Sequence, residues 1–419
     1  MLRQRVQRRR RQTGGAVFRT DDVRAMLQNR VCAKGACCLF CRHSGICGGC
    51  DLLGKTYAEQ LRLKAATLAG RLASAGVSMT PEFEPLFPND RMPGGFRQKV
   101  AFVFGTSPHG SLVMGHYARG SQKVVPVTEC PVHSARGNRV AFALRDQLVR
   151  AGVEAAGSRR GVLRHLLVRA SQDNLQAVAM LVVTGNDKSL RRPVRALMDS
   201  ADRPDGFFIN IHPGPGPFMV GPKTIPIAGQ RHVAESINGI TFLISPAAFF
   251  QTNAMAAAAL QRLVVSAIRG DRVLDLYSGS GLFSLALARE SSRVVAIEEN
   301  RVAVKDAEAN ARINRVAPGR LRLMCARVED ALPGLAREAW DAVVLDPPRQ
   351  GCPPGVIAGV FDRLRPPCVV YVSCNPDALA AELPAMLRAG YRVDDVRVVD
   401  MFPHTEHIES VVRLSRLAN

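Results

Sequence analysis

Short apolar runs alternate with longer amphipathic segments through the second half of the chain. Five runs typical of buried strands cover residues 273–276, 294–297, 321–325, 342–345 and 368–372. Segments with helical periodicity lie near 281–289, 301–314, 354–364 and 377–389. This alternation predicts a doubly wound parallel sheet of the α/β class. Two last strands, 393–399 and 408–414, are too close for a crossover helix, so we expect them to be antiparallel and the sheet to be mixed.

The first half mixes the two periodicities and predicts an α+β domain. Helices are predicted over residues 57–75, 133–151, 188–198 and 254–268. Strand hairpins are predicted from 100–104 with 111–117 and from 162–168 with 175–183, and a short strand over 240–244. Residues 211–230 hold four Gly and five Pro and predict a loop. We therefore divide the chain into a tail of residues 1–30, an α+β domain of 31–252 and an α/β domain of 253–419.

Charge sets the expected partner. The 419 residues carry a net charge of +20, and residues 1–30 contain nine Arg against two Asp. Such a field attracts polyanions, so RNA or DNA is the expected partner and the first 30 residues are expected to be a basic, disordered tail. No apolar run approaches the ~18 residues that span a bilayer, and no apolar stretch follows the basic start. We expect a cytoplasmic protein without a membrane partner, and a monomer by default.

Cysteine is concentrated near the start of the α+β domain. Six of the eleven Cys lie between Cys32 and Cys50. In a cytoplasmic protein, such a group is more typical of metal ligands than of disulfides. Residues 31–54 are too few to form a core, so a metal or a cluster is needed to hold their shape. Spacing alone leaves zinc and an iron–sulfur cluster both open.

A glycine-containing loop follows the first strand of the α/β domain. Its sequence is Asp275-Leu276-Tyr277-Ser278-Gly279-Ser280-Gly281, and glycines there permit a tight turn close to a ligand. The dinucleotide pattern G-x-G-x-x-G is absent because residue 284 is Ser. Glu298 ends the next strand, where a carboxylate suits a ribose diol. This combination favours S-adenosylmethionine over a nicotinamide cofactor.

Two more strand ends carry chemistry. Asp346-Pro347-Pro348-Arg349 follows one strand, and its prolines stiffen the chain beside the expected methyl donor. Amino-methylating enzymes have an aromatic residue where Arg349 stands, which argues against adenine-N6 methylation. Ser373-Cys374-Asn375-Pro376 follows the next strand and offers a thiol nucleophile at the edge of the sheet where open α/β folds place their sites.

A thiol, a base and a methyl donor in one pocket match C5 methylation of uracil. Thiolate addition to C6 makes C5 nucleophilic, and a base must then remove the C5 proton. Cys374 supplies the thiol. Glu409, at the start of the last strand, is the first candidate for the base, with Glu406 and His407 as alternatives.

These motifs resemble the S-adenosylmethionine-dependent RNA uracil-5-methyltransferases, in particular their iron–sulfur 23S rRNA branch. The resemblance covers roughly residues 41–416. Besides the cofactor loop and the two strand-end motifs, it rests on Cys47-Gly48-Gly49-Cys50, Phe96-Arg97-Gln98-Lys99, Arg119-Gly120-Ser121, Glu129-Cys130-Pro131, Ile244-Ser245-Pro246, Phe250-Gln251-Thr252-Asn253 and residues 404–409.

The resemblance implies a Rossmann-like methyltransferase domain and a function for each motif. Cys374 would be the nucleophile and Glu409 the base. The S-adenosylmethionine and uracil pocket would be lined by Gln251, Tyr277, Glu298 and Asp346. A [4Fe–4S] cluster, with zinc as the alternative, would be bound by Cys41, Cys47, Cys50 and Cys130.

The resemblance also leaves alternatives. A tRNA uracil-54 methyltransferase is the nearest, but its relatives usually lack the four Cys. A non-catalytic RNA-binding protein is the other, and an intact Cys374 and Glu409 argue against it. Many family members begin with a small β-barrel RNA-binding domain, for which residues 1–40 are too few. We therefore expect that barrel to be missing and the Arg-rich tail to substitute for it in part.

Overall fold

The computed structural model describes residues 39–87, 92–158, 160–214, 219–291 and 293–418. The predicted tail and Cys32, Cys37 and Cys38 lie outside these residues. The helices, numbered in chain order, are α1 Tyr57–Ser74, α2 Ala135–Arg150, α3 Arg191–Met198, α4 Ala254–Ala267, α5 Ser284–Glu290, α6 Arg301–Ile313, α7 Val328–Leu335, α8 Pro354–Ala358 and α9 Pro376–Arg388.

The strands are short and fall into two large sheets and one hairpin. In chain order they are β1 Glu82–Phe83, β2 Lys99–Thr106, β3 Leu112–Tyr117, β4 Val124–Pro126, β5 Leu163–Ala170, β6 Ala177–Val183, β7 Gly206–Ile211, β8 Lys223–Gly229, β9 Val233–Ile237, β10 Ile240–Ile244, β11 Arg272–Leu276, β12 Arg293–Glu298, β13 Leu321–Cys325, β14 Ala342–Leu345, β15 Cys368–Ser373, β16 Tyr391–Val399 and β17 Glu409–Arg416.

The second half forms the predicted α/β sheet. Its eight strands lie in the order β1-β16-β17-β15-β14-β11-β12-β13. Every pair is parallel except the two that include β17, so the sheet is mixed as expected. All residues of β14 and β15 are buried, because helices cover both faces. One face packs on α1, α7, α8 and α9, and the other on α4 and α5. Helix α6 contacts β13 and the hairpin strand β10.

The first half forms a seven-stranded sheet in the order β4-β3-β2-β5-β6-β7-β8. Both predicted hairpins are confirmed, and α2 and α3 cover one face with side chains such as Leu144 and Leu197. The loop predicted over 211–230 is wrong in part, because residues 223–229 form β8 and pair with β7. This is an edge strand, where Pro226 can be accommodated despite its missing N–H.

Two sets of contacts between the halves bear on the position of the site. Helix α1 packs on α9 and the two-residue strand β1 pairs with β16, so residues 57–83, assigned to the α+β domain by sequence, pack on the second sheet. The segment before α4 is held by the first sheet. Gln98 N–H donates to the Thr252 carbonyl at 2.7 Å, and Arg169 Nη2 donates to the Phe250 carbonyl at 3.1 Å. These bonds fix the backbone on both sides of Gln251.

Across the described part of the chain, the helices are too short or too polar to cross a lipid bilayer.

Candidate active site

One cavity of about 880 Å³ brings together all six residues predicted for catalysis and cofactor binding. It lies where β11, β12, β14 and β15 end and where β17 begins. Parallel strands end on the same edge of a sheet, so residues scattered over 160 positions meet there. The six residues are Gln251, Tyr277, Glu298, Asp346, Cys374 and Glu409.

The cofactor loop is shaped by positive φ angles. The φ angles of Tyr277, Gly279 and Gly281 are 67°, 55° and 91°. Positive φ strains the backbone of a residue that has a side chain more than that of a glycine. At Gly281 the positive φ already disfavours a side chain, and an added Cβ would lie 2.2 Å from Leu285 Cδ1, so Leu285 would have to move. The Glu298 carboxylate accepts from Gly279 N–H at 3.0 Å and from Asn300 N–H at 2.7 Å. Glu298 therefore joins the loop to the end of β12.

Pairing between β15 and β17 places the thiol beside the proposed base. Ser373 is opposite Ser410, so the next residues toward the cavity are Cys374 on one strand and Glu409 on the other. Asn375 ties this edge to the Asp-Pro-Pro-Arg loop, since its Nδ2 donates to the Arg349 carbonyl at 2.9 Å. Glu409 is 3% exposed, whereas Glu406 is exposed and does not line the cavity.

The cavity concentrates negative charge. Burial raises the pKa of Asp346 well above its ordinary value, and the carboxylates of Glu409, Asp275 and Glu298 raise it further. Burial raises the pKa of Glu409 to about 7, against the lowering effect of Arg349. Burial behind the loop likewise raises the pKa of Asp275 to about 7. In a chain with a net charge of +20, this acidic pocket suits a cationic ligand such as a sulfonium.

The thiol is held in its protonated form by the same surroundings. Burial, followed by the charges of Glu409 and Asp346, raises the pKa of Cys374 to about 11, and Arg349 acts in the opposite direction. Arg349 is exposed at the mouth of the cavity, where its Nη2 lies 3.2 Å from Nε2 of His407. His407 lines the cavity as well, in edge contact with the ring of Phe402.

A second cavity, of about 360 Å³, contains the four predicted metal ligands. Cys41, Cys47, Cys50 and Cys130 are free thiols, and burial is the largest cause that raises the pKa of each. The loop that carries the first three is fastened to the end of β3. Gly48 N–H donates to the Tyr117 carbonyl at 2.9 Å, and Arg119 N–H donates to the Ile46 carbonyl at 3.2 Å.

Four side chains that sequence reasoning did not connect with metal binding also line this cavity. Each has a buried nitrogen without a hydrogen-bond partner: His43 Nε2, Arg97 Nε, His116 Nε2 and His133 Nδ1. Single histidines in strands and turns give no pattern by which they can be assigned to a site. Buried polar nitrogens without partners are rare in folded proteins, so these atoms fit a cavity that holds a bound group.

The fold and the first cavity together define a class. The protein is a Rossmann-like methyltransferase that uses S-adenosylmethionine. This class is defined by the strand order of the mixed sheet, the ligand loop after β11 and the acidic residue at the end of β12.

Comparison with known proteins gives the family. Residues 227–417 match the model of the tRNA (Uracil-5-)-methyltransferase family. An RNA methyltransferase of Gloeobacter violaceus, itself uncharacterised, is 36% identical over 376 residues, which cover 88% of this chain and 81% of that protein. Another from Caldanaerobacter subterraneus is 31% identical over 90% of this chain and 84% of its own length. The chain belongs to the RNA uracil-5-methyltransferase family.

A solved structure is similar over most of the chain. The tRNA (uracil-54, C5)-methyltransferase of Pyrococcus abyssi, in complex with S-adenosyl-L-homocysteine, has a TM-score of 0.72 and 25% identity. The similarity covers 88% of this chain and 86% of that one. The predicted class of fold and the use of S-adenosylmethionine are thereby confirmed.

Proposed function

We propose that the protein methylates C5 of a specific uridine in RNA, with 23S rRNA as the substrate. The observation that carries the proposal is the meeting of Cys374 and Glu409 in the cavity that also contains Gln251, Tyr277, Glu298 and Asp346. A nucleophile and a base on neighbouring strands at a cofactor pocket are the parts that this chemistry requires.

In the proposed mechanism, the Cys374 thiol loses its proton to solvent and the thiolate adds to C6 of uracil. The electron pair moves to C5 and O4. S-adenosylmethionine, when bound at Glu298 and the loop 277–281, would supply the methyl group for C5, with S-adenosylhomocysteine as the leaving group, and a sulfonium charge that offsets the carboxylates. Glu409 then accepts the C5 proton, the bond between Sγ and C6 breaks, and the thiolate leaves with 5-methyluridine as the product. Arg349 favours the thiolate electrostatically.

A fluorinated substrate tests the mechanism directly. A fluorine at C5 cannot be removed as a proton is, so RNA containing 5-fluorouridine should remain attached to the wild-type enzyme in the presence of S-adenosylmethionine. Cys374→Ala should give no adduct. Cys325→Ala, which removes an exposed thiol outside the cavity, should give the wild-type amount. An adduct that survives Cys374→Ala would overturn the assignment of the nucleophile.

The choice of RNA rests on the four-cysteine set, and a tRNA substrate is the second candidate. The similarity to the Pyrococcus abyssi enzyme, whose own substrate position is uracil-54 of tRNA, favours that candidate. Mapping 5-methyluridine in 23S rRNA and in tRNA of a deletion strain decides between them, because the modification should disappear from one RNA and persist in the other.

We also propose that Cys41, Cys47, Cys50 and Cys130 bind a [4Fe–4S] cluster. The donor set supports this, since one cavity is lined by the four thiols and by Arg97, whose buried Nε has no hydrogen-bond partner. Methyl transfer needs no electron, so the expected contribution is to hold the first domain's shape. Anaerobically purified protein should contain about four iron and four sulfide per chain. Zinc without sulfide would overturn the cluster.

A further inference from the structure

Three of the ligand-type side chains in the second cavity converge, and the group includes only one of the four cysteines. The ligand atoms of His116, Cys130 and His133 all lie within 4.8 Å of one another. Within the described ranges of the chain, this is the one group of three or more His, Cys, Asp or Glu found at that spacing. In a tetrahedral zinc site with bonds of 2.0–2.3 Å, ligand atoms are roughly 3.5 Å apart. The three side chains are therefore near the spacing for a single ion, and the four thiols are not.

Each of the two histidines has a ring nitrogen without a hydrogen-bond partner. His133 is 3% exposed, and the unpartnered atoms are His133 Nδ1 and His116 Nε2. An imidazole nitrogen that carries no proton has a lone pair available for a metal, so each ring can contribute one ligand atom.

The rings are also held in place. His116 stacks on Phe102 with centroids 5.0 Å apart and planes at 21°, and His133 contacts the same ring edge-on at 5.1 Å. The two imidazoles meet each other at 5.2 Å and 86°. A metal would thus find its nitrogen ligands already oriented, which reduces the ordering cost of binding.

We propose that His116, Cys130 and His133 form a binding site for a single Zn²⁺ ion, distinct in its ligands from the four-cysteine site. With water in the fourth position, binding displaces one proton, from the Cys130 thiol, and forms one Zn–S and two Zn–N bonds. With Cys50 in that position, a second thiol proton is displaced and a second Zn–S bond forms; the Cys50 thiol interacts electrostatically with Cys130. The site does not depend on the methyl-transfer proposal.

Sharing of Cys130 makes the two occupants mutually exclusive. A cluster on the four cysteines uses the Cys130 thiolate, and a zinc ion on the histidine site uses it too. The cavity would hold either a cluster, when iron and sulfide are supplied, or one zinc ion when they are not. Zinc found in aerobically prepared protein would then be bound by His116, Cys130 and His133. It would not be a wrong metal bound by the four cysteines of the cluster site.

The test uses full-length metal-free protein and Co²⁺ as a spectroscopic probe for Zn²⁺. We expect wild type to bind one Co²⁺ per chain with visible bands of a tetrahedral ion, and Zn²⁺ to displace it. His133→Gln and His116→Gln should weaken Co²⁺ binding by at least about 10–100-fold, the range that loss of metal-site groups produces. Cys41→Ser, which alters a cluster ligand outside the trio, should leave Co²⁺ binding within about twofold.

Cluster reconstitution provides the opposite pattern. Cys41→Ser should fail to assemble the cluster, whereas the two histidine variants should assemble it, which also shows that they fold. Preloading wild type with Zn²⁺ should block assembly. X-ray absorption of zinc-loaded wild type should give at least two nitrogen ligands and at most two sulfur ligands. Four sulfur ligands, Co²⁺ binding that needs Cys41 but not the histidines, or no stoichiometric Co²⁺ binding would each overturn the proposal.

Discussion

The thiol that the proposed reaction needs as an anion lies beside two carboxyl groups. Burial, followed by the charges of Glu409 and Asp346, raises the pKa of Cys374 to about 11, and the charge of Arg349 lowers it. Arg349 also stands where amino-methylating enzymes have an aromatic residue. At the scale of single residues, Arg349 is therefore expected to control how much thiolate the site contains.

Replacing Arg349 with Met should raise the pKa of Cys374 further, because loss of a nearby positive charge disfavours the thiolate. The midpoint of Cys374 alkylation against pH should move upward, and Arg349→Lys, which keeps the charge, should move it less. The rate of Cys374 alkylation at each pH can be measured by mass spectrometry of the Cys374 peptide. The exposed Cys325 in the same molecule is the internal control. An unchanged midpoint in Arg349→Met would contradict this electrostatic effect.

Replacing Glu409 with Gln should stop the reaction after methyl transfer. The amide cannot accept the C5 proton, so the enzyme should remain attached to ordinary, unfluorinated RNA, and turnover should fall by roughly 10²–10⁴-fold. A denaturing gel with radiolabelled RNA measures the adduct. Glu406→Gln, in an exposed residue outside the cavity, should turn over like wild type. Free methylated RNA at the wild-type rate from Glu409→Gln would identify another base.

At the scale of elements, strand ends were predictable and the contacts between elements were not. Apolar runs mark where β11, β12, β14 and β15 end, so Tyr277, Glu298, Asp346 and Cys374 could be placed on one edge from sequence. The strand β8 was missed because Pro226 and the prolines that precede the strand resemble a loop, and an edge position tolerates Pro226. His116 and His133 could not be linked to Cys130, since only the folded sheet brings them together.

The loop that leads to Glu409 is another contact that sequence did not predict. Lys64 of α1 donates to Asp400 at 2.6 Å, with both side chains 1% exposed, and to the Phe402 carbonyl at 3.0 Å. His404, fully buried, bonds with Gln60, and its carbonyl accepts from Leu52 N–H at 2.8 Å. The segment between β16 and β17 is thus held by helix α1 and by Leu52, which follows the loop that carries Cys41, Cys47 and Cys50.

Lys64→Met should destabilise the protein by ~3 kcal/mol or more, because it leaves the Asp400 charge buried without its ion-pair partner. The double variant Lys64→Met/Asp400→Leu should recover much of that loss, since two apolar side chains replace the pair. Urea unfolding measures both. Arg71→Met breaks the exposed pair with Asp377 and should cost less than ~1 kcal/mol. Equal losses in the free energy of unfolding from Lys64→Met and Arg71→Met would show that burial does not increase the contribution of the Lys64–Asp400 pair to stability.

At the scale of the whole molecule, charge is divided between two tasks. The chain has a net charge of +20, yet the cofactor cavity contains Asp346, Glu409 and Glu298. The net positive charge attracts a polyanionic RNA, and the carboxyl groups of the cavity attract a sulfonium. One protein can therefore attract ligands of opposite charge to adjoining places. Their dependence on salt should differ, because exposed charges are screened and buried ones much less so.

RNA affinity should therefore fall steeply with salt, while S-adenosylmethionine affinity should change little. If about four phosphates are contacted, raising salt from ~50 to ~200 mM should weaken RNA binding roughly 50-fold, and S-adenosylmethionine binding about twofold or less. Filter binding and calorimetry measure the two constants on the same preparation. A variant lacking residues 1–30, which carry nine Arg, should show a shallower slope for RNA and the same cofactor affinity. A slope unaltered by that deletion would assign the phosphate contacts to the folded domains, because counterion release depends only on the charges that touch the RNA.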